Sequence, residues 1–460
     1  MNRENAWKSY KQKQIKEMDK LVADYKVFLD NGKTERECVV ETVERAKKAG
    51  YKDLATLIKG NKKVKAGDKV YMTFMDKSVV LFNIGKKSMM DGMNILGAHI
   101  DSPRIDVKQN PLYEDSDFAY LDTHYYGGVK KYQWVAQPLA IHGVVVKKDG
   151  TVVNVVVGED SKDPVFCITD LLIHLSREQL EKSGAKVIEG EQLDLMIGSK
   201  PLNGEEKDAV KANVLAILKD KYDIEEEDFL SAELEIVPAG KARDMGFDAS
   251  MVMAYGQDDR VCAYTSLAAI LDTDEVDYTA CCILVDKEEI GSVGATGMRS
   301  EFFKNTVAEL LDRMGEYSEL NLRRCLANSR MLSSDVSAAF DPMFPSVFEK
   351  KNSAFMGKGM VFNKFTGSGG KSGSNDANPE FVAKIRNIMD KNKIAFQTAE
   401  LGKVDAGGGG TIAYIMAKYG MDVIDAGVPV LNMHAPWEIV SKVDVYEAFR
   451  AYKEFFLLKN

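Results

Sequence analysis

Residues 93–103 read MNILGAHIDSP: an apolar run, then histidine, one residue, aspartate, serine and proline. A short run of this kind, mostly apolar and closed by a turn signal, describes a strand buried on both faces of a sheet, as strands are in parallel α/β architecture. His99 and Asp101 then sit at its carboxyl end, where ligands bind in open α/β sheets. The chain holds five histidines in 460 residues, so an imidazole at that position asks for a chemical reason. A lone histidine after a strand is commonly a half-buried structural residue. The reading therefore depends on what stands at the other strand ends.

Working outward, KVYMTFM (69–75) and SVVLFNIG (78–85) are β-rich runs between Lys/Asp/Gly turns. Before them, the chain to about Gly50 has helical spacing, with a helix expected to start near Lys33 or Thr34 and close at Gly50. Beyond Phe247, strand and helix alternate. DDRVCAYTSLAAILD (258–272) and SEFFKNTVAELLDRMG (300–315) read as helices around the strand YTACCILVD (278–286). A strand region, MDVIDAGVPVLNMHAP (421–436), precedes a closing helix, KVDVYEAFRAYKEFFLL (442–458). Such alternation predicts an α/β fold with a mostly parallel central sheet flanked by helices.

The middle of the chain differs in texture. PLAIHGVVVKKDGTVVNVVVGED (138–160) carries a hairpin signal at KKDG, and two helices are expected at ITDLLIHLSREQLEKSG (168–184) and VKANVLAILKDKYDI (210–224). The stretch between them, VIEGEQLDLMIGSKPLNGEEKD (187–208), is polar and expected to be loop. Residues 106–244 are read as a β-rich domain inserted between 1–105 and 245–460. FTGSGGKSGSNDANP (365–379) reads as a flexible loop, and its GSGGKSG lacks the spacing of a phosphate-binding loop.

Composition narrows the function. A net charge of −9 argues against nucleic acid as a general partner, because phosphate neutralisation needs a basic surface. No apolar run is long enough to cross a bilayer, and no secretory signal is visible. The six cysteines are sparse and lack zinc-finger spacing, which suits reduced core thiols and a cytoplasmic location.

Acids and histidines recur at the strand ends. AYGQDDRVCAY (254–264), CCILVDKEEIGS (281–292) and VLNMHAP (430–436) add Asp258, Asp259, Asp286, Glu288, Glu289 and His434 to His99 and Asp101, and MLSSDVSAAFDP (331–342), which follows a short apolar-polar run, adds Asp335. Imidazole with carboxylate is the donor set of zinc and its neighbours, and a carboxylate can bridge two cations. Charges at buried strand ends are costly unless paired or metal-bound. Taken singly, DD and EE also suit solvated helix starts. Of the adjacent Glu288 and Glu289, one can face metal while the other serves as base.

The segments GAHIDSPRIDVK, GQDDRVCA, DKEEIGSVGATG, SSDVSAAFDP and NMHAPWE, in this order, resemble the M18 metallopeptidases, the aspartyl aminopeptidase family. NGKTERECV, YKDL, YYGG and DLLIHLSRE extend the resemblance over nearly the whole chain. It implies a zinc-peptidase-like fold and two divalent ions, zinc first, with cobalt or manganese also accepted. His99, Asp258, Glu289, Asp335 and His434 would be the metal ligands, with Asp258 bridging. Asp101 would orient His99, and Glu288 would be the general base. The implied reaction removes an N-terminal residue from a peptide by way of a metal-bound hydroxide. The inserted domain would serve dimerisation, dimers assembling into a dodecamer. His174 matches a histidine that meets substrate from a neighbouring subunit, against the plainer reading that it packs within a helix. Lys364, beside Lys371 and Arg299, is a candidate to meet an acidic side chain of substrate. His124 and His142 are left as structural.

Four positions depart from the family: Ala338 and Asp341 replace histidines, Asp259 replaces asparagine, and Gly408 stands where a cysteine is usual. The preferred N-terminal residue, acidic or apolar, is therefore left open. Two rival readings share the metals: a carboxypeptidase or N-deacylase, and a non-catalytic self-assembling particle. Glu288 speaks against the particle, which has no use for a base beside the ligands.

Overall fold

A computed structural model describes residues Arg3–Lys459, which divide into two compact units. The first takes in the chain to Asp101, Ala242–Met433 and the chain from Glu438; the second is Ser102–Lys241 with His434–Trp437.

The first unit is built on a nine-stranded sheet. Its order is Lys52–Asp53, Lys69–Phe74, Ser78–Asn83, Thr279–Val285, Met93–His99, Arg330–Ser333, Asp422–Gly427, Met360–Asn363 and Phe396–Thr398. The four middle strands, from Thr279–Val285 to Asp422–Gly427, are mutually parallel. Ser78–Asn83 and Met360–Asn363 join them antiparallel on either side.

Strand alternation explains why apolar residues of the middle runs point to both sides of the sheet. Leu96, Ala98, Cys282, Leu284, Leu332 and Ile424 enter one buried cluster, while Ile95, Cys281, Ile283, Met331 and Val423 enter another. The first cluster includes apolar residues of the helices Gln12–Asn31, Glu35–Lys48, Gln257–Leu271, Pro379–Lys391 and Lys442–Phe456. The second includes those of Leu54–Lys59, Phe302–Met314, Glu319–Ala327 and Ala413–Ala417. Burying one Leu or Ile side chain contributes about 1.5–3 kcal/mol, so a strand feeding two cores is held firmly in register. A smaller five-stranded sheet runs Arg243–Met245, Met251–Ala254, Glu438–Ser441, Pro429–Leu431 and Ser337–Ala338.

The expected break near Thr34 is a capping box. Thr34 Oγ1 accepts from Glu37 N at 3.2 Å, and Glu37 Oε2 accepts from Thr34 N at 3.0 Å.

The second unit holds a six-stranded antiparallel sheet in the order Val152–Val157, Leu139–Val146, Ala232–Pro238, Arg104–Asp115, Phe118–Tyr126 and Leu195–Gly198. Two expectations fail here. Leu195–Gly198 is a strand inside the stretch read as loop. The helix expected over 168–184 is reduced to a 3-10 turn at Ile173–Leu175 and one helical turn at Arg177–Leu180. Its apolar residues Leu171, Leu172, Ile173, Leu175 and Leu180 are exposed. Without a surface to bury its apolar stripe, a short segment does not recover the cost of helix nucleation. Asp170 Oδ1 instead accepts from Leu171 N at 2.7 Å and Gln179 Nε2 at 2.9 Å.

Candidate metal centre

The parallel register Val285↔His99 places the ends of two neighbouring strands side by side. The chain leaves one into His99–Ile100–Asp101 and the other into a 3-10 turn at Glu288–Ile290. Lys287, at φ 68°, makes the sharp change of direction between strand and turn. Asp101 fastens the two exits together. Its Oδ1 accepts from Glu288 N at 3.1 Å and its Oδ2 from Glu289 N at 3.2 Å.

His99 is buried, with Nδ1 3.0 Å from the Asp101 carbonyl oxygen and 3.3 Å from Asp101 Oδ1. Both partners are acceptors, so Nδ1 donates to them, and Nε2 is the nitrogen that faces the other carboxylates. Nε2 lies 3.3 Å from Asp258 Oδ1 and 3.9 Å from Glu288 Oε2.

Asp258 and Asp259 open the Gln257–Leu271 helix with non-helical backbone, which lets the adjacent carboxylates diverge. Asp258 N donates to Glu438 Oε2 at 2.9 Å. Asp259 Oδ2 accepts from His99 N at 3.3 Å, while its buried Oδ1 has no hydrogen-bond partner. Asp335 follows the strand Arg330–Ser333, and its carbonyl oxygen would lie 1.8 Å from a Cβ on Gly427, so only glycine admits this close crossing.

Three overlapping groups of ligand atoms result, each within 4.8 Å: His99, Asp258 and Glu289; His99, Glu288 and Asp335; Asp258, Asp259 and Asp335. Electrostatics mark the gathering as incomplete. Burial first, then neighbouring carboxylates, raise Asp259 and Asp335 well above the ordinary aspartate range, with His99 opposing. Burial disfavours protonated His99, yet Asp101, Asp258 and Glu288 together raise it well above the usual histidine value. Two like charges 4 Å apart repel by about 4 kcal/mol at an effective dielectric of 20. One imidazole cannot balance five carboxylates, and the unpartnered Asp259 Oδ1 adds an unused donor atom. Oxygen donors with imidazole are the set zinc accepts, so the residues fit a divalent cation.

Of the residues singled out in the sequence, His99, Asp258, Glu288, Glu289 and Asp335 are thus brought together, with Asp101 bracing them. His434 belongs to the second unit and to none of these groups; its Nδ1 lies 2.9 Å from Gly128 O. His174 is exposed on its 3-10 turn in the same unit. Lys364 pairs with Asp376, which Lys371 also reaches at 3.0 Å. Asp286, at the end of its strand, accepts from Thr296 Oγ1 and belongs to none of the three groups. Asp259 joins a group although the sequence reading gave it no ligand role, and the adjacent acid pair was the signal available. Glu438 was not foreseen: an acid opening a strand is usually solvent-facing, and here it is buried under Asp258.

A family model described as aminopeptidase I zinc metalloprotease (M18) matches residues 28–456. The chain is 63% identical over 452 residues to a probable M18 family aminopeptidase 1 of Clostridium acetobutylicum, covering 98% of this chain and 97% of that one. Its structure is similar to the crystal structure of an M18-family aminopeptidase from Thermotoga maritima, with a TM-score of 0.95 at 42% identity over 100% of both chains. Against aminopeptidase I from C. acetobutylicum the TM-score is 0.92 at 61% identity, again over 100% of both. The S. cerevisiae mApe1 dodecamer, 19% identical over 96% of this chain and 97% of that one, shares the fold with a TM-score of 0.76. Among the described residues no helix is long and apolar enough to cross a membrane.

Proposed function

Because the chain belongs to the M18 family of zinc metallo-aminopeptidases, and so is a hydrolase of peptide N termini, we propose which of its residues perform the reaction. The observation that carries this assignment is the gathering of His99, Asp258, Glu288, Glu289 and Asp335 at adjoining strand ends, braced by one carboxylate, Asp101.

His99, Asp258, Glu289 and Asp335 would hold two divalent ions, zinc first, with Asp258 shared between them. His434 completes the ligand set on its place in NMHAPWE; a proton on Nδ1 toward Gly128 O puts its lone pair on Nε2. When bound, the metal polarises the scissile carbonyl and makes water acidic enough to attack near neutral pH. Glu288 takes the proton of the attacking water and returns it to the departing amine. Its backbone N–H is fixed by Asp101, so its carboxylate stands beside the ligands. A carboxylate of the group would receive the substrate's free α-amine, restricting cleavage to chain ends. His174 and Lys364 are proposed as further substrate contacts.

The chain is also proposed to form a homo-oligomer, dimers built through the second unit assembling into a dodecamer, the state named for the yeast relative above.

The test is hydrolysis of aminoacyl-p-nitroanilides by zinc-loaded protein, each substrate paired with its N-acetylated form. Cleavage confined to the free amines is expected. Equal cleavage of acetylated substrates contradicts α-amine recognition, and the ranking of Asp, Glu, Leu and Ala derivatives gives the specificity.

A further inference from the structure

Away from the metal ligands, the first unit has a cavity of about 450 Å³ whose charged wall residues are all cationic: Arg3, Lys350, Lys351, Lys358 and Arg386. In a chain of net charge −9 this concentration of one sign is unusual. It differs in kind from the Lys364 and Lys371 pair, which share Asp376. Among the described residues, Lys350, Lys351 and Arg386 form no ion pair, and Arg3 approaches Asp390 only at 3.9 Å.

Two of the neutral hydrogen-bonding groups of the wall, Gln397 and Ser353, are already committed. Gln397 Oε1 accepts from Phe355 N at 2.9 Å, and its Nε2 donates to Phe355 O at 2.8 Å. Ser353 Oγ donates to Glu349 O at 2.9 Å. The aromatic faces are taken as well: Arg3 lies 4.1 Å from the centre of Phe396, and Lys358 lies 4.7 Å from that of Phe355. The cavity therefore offers a ligand positive charge with N–H donors, and each of the two rings in its wall already carries a cation.

We infer that this cavity binds a small oxyanion bearing two or more charges. Several cations around one cavity are held together at the expense of mutual repulsion, which a multivalent anion relieves with charge-assisted hydrogen bonds. Phosphate and carboxylate compounds share that chemistry. The inference is independent of the reaction assigned above.

Calorimetric titration of the zinc-loaded full chain with pyrophosphate, and separately with citrate, tests it at ionic strength matched with chloride. The variants are Lys350→Ala/Lys351→Ala, on an exposed turn, and Arg386→Ala, on an exposed helix face. Binding of pyrophosphate marks a phosphate site and binding of citrate a carboxylate site, provided both variants weaken it at least about tenfold. Both variants should keep wild-type peptidase turnover without anion, which shows that they fold. Heat that persists unchanged in the variants belongs to zinc withdrawal and overturns the inference, as does absence of binding by either anion.

Discussion

At the scale of single residues, Asp101 is the brace on which the site depends. Its two oxygens accept from the consecutive amides of Glu288 and Glu289, and Oδ1 also stands 3.3 Å from His99 Nδ1. Asparagine keeps the shape but turns an NH₂ group toward one of those N–H donors. Asp101→Asn is therefore expected to weaken zinc affinity about 10- to 100-fold, the usual effect of losing a partner that orients a ligand; competition with a chelating dye reads it, and unchanged affinity would remove Asp101 from this role. Glu288→Gln separates base from ligand. It should keep zinc content and melting temperature while turnover falls by about 10²- to 10⁴-fold; wild-type turnover in that variant would sink the assignment. His99 and Asp101 were legible in the sequence because the apolar run before them fixes where a buried strand ends. Glu438 was not, and Asp259 stood out only as half of an acid pair, because whether an acid is buried depends on what the rest of the chain packs over it.

At the scale of elements, the strand Asp422–Gly427 carries a charge into the core. Asp425 is level with Ser333 on one neighbour and Asn363 on the other. Its Oδ1 accepts from Thr411 Oγ1 at 2.7 Å, tying the glycine run 407–410 to the sheet, while its Oδ2 has no hydrogen-bond partner. Burial lifts its carboxyl to about 6, with Thr411 and Ser333 pulling the other way. A carboxyl raised in the folded state contributes stability below its unfolded value near 3.9, and this is lost as pH rises through about 6. The stability of the wild type relative to Asp425→Asn should then fall by about 2 kcal/mol between about pH 4.5 and pH 7, read by urea unfolding at each pH. A flat difference would show that Asp425 is ionised throughout. The strands Met93–His99 and Thr279–Val285 were legible because each feeds two cores and so is mostly apolar, whereas Arg330–Ser333, short and half polar, gave little signal. The segment 168–184 misled because helical spacing states which residues could share a face, not whether anything covers it.

At the scale of the whole molecule, that same segment is where the proposed assembly becomes testable. Ile173 and Leu175 are each 68% exposed, and Leu171, Leu172 and Leu180 stand near them in sequence. Scattered surface apolar residues need no explanation, but five within ten positions of one irregular segment form a patch that water disfavours. A second copy of the chain is the partner the proposed oligomer supplies. Ile173→Glu should therefore reduce the sedimenting species to smaller ones at the same protein concentration, because a charge in a buried apolar contact is left unpaired. Within one chain the side chain is exposed, so the variant's own fold should change by no more than about 0.5 kcal/mol. If His174 meets substrate from a neighbouring subunit, turnover falls in step with assembly and returns in mixtures that restore it. Wild-type sedimentation by Ile173→Glu would place the contact elsewhere, and disassembly with full turnover would make each chain a complete enzyme and leave His174 to structure alone.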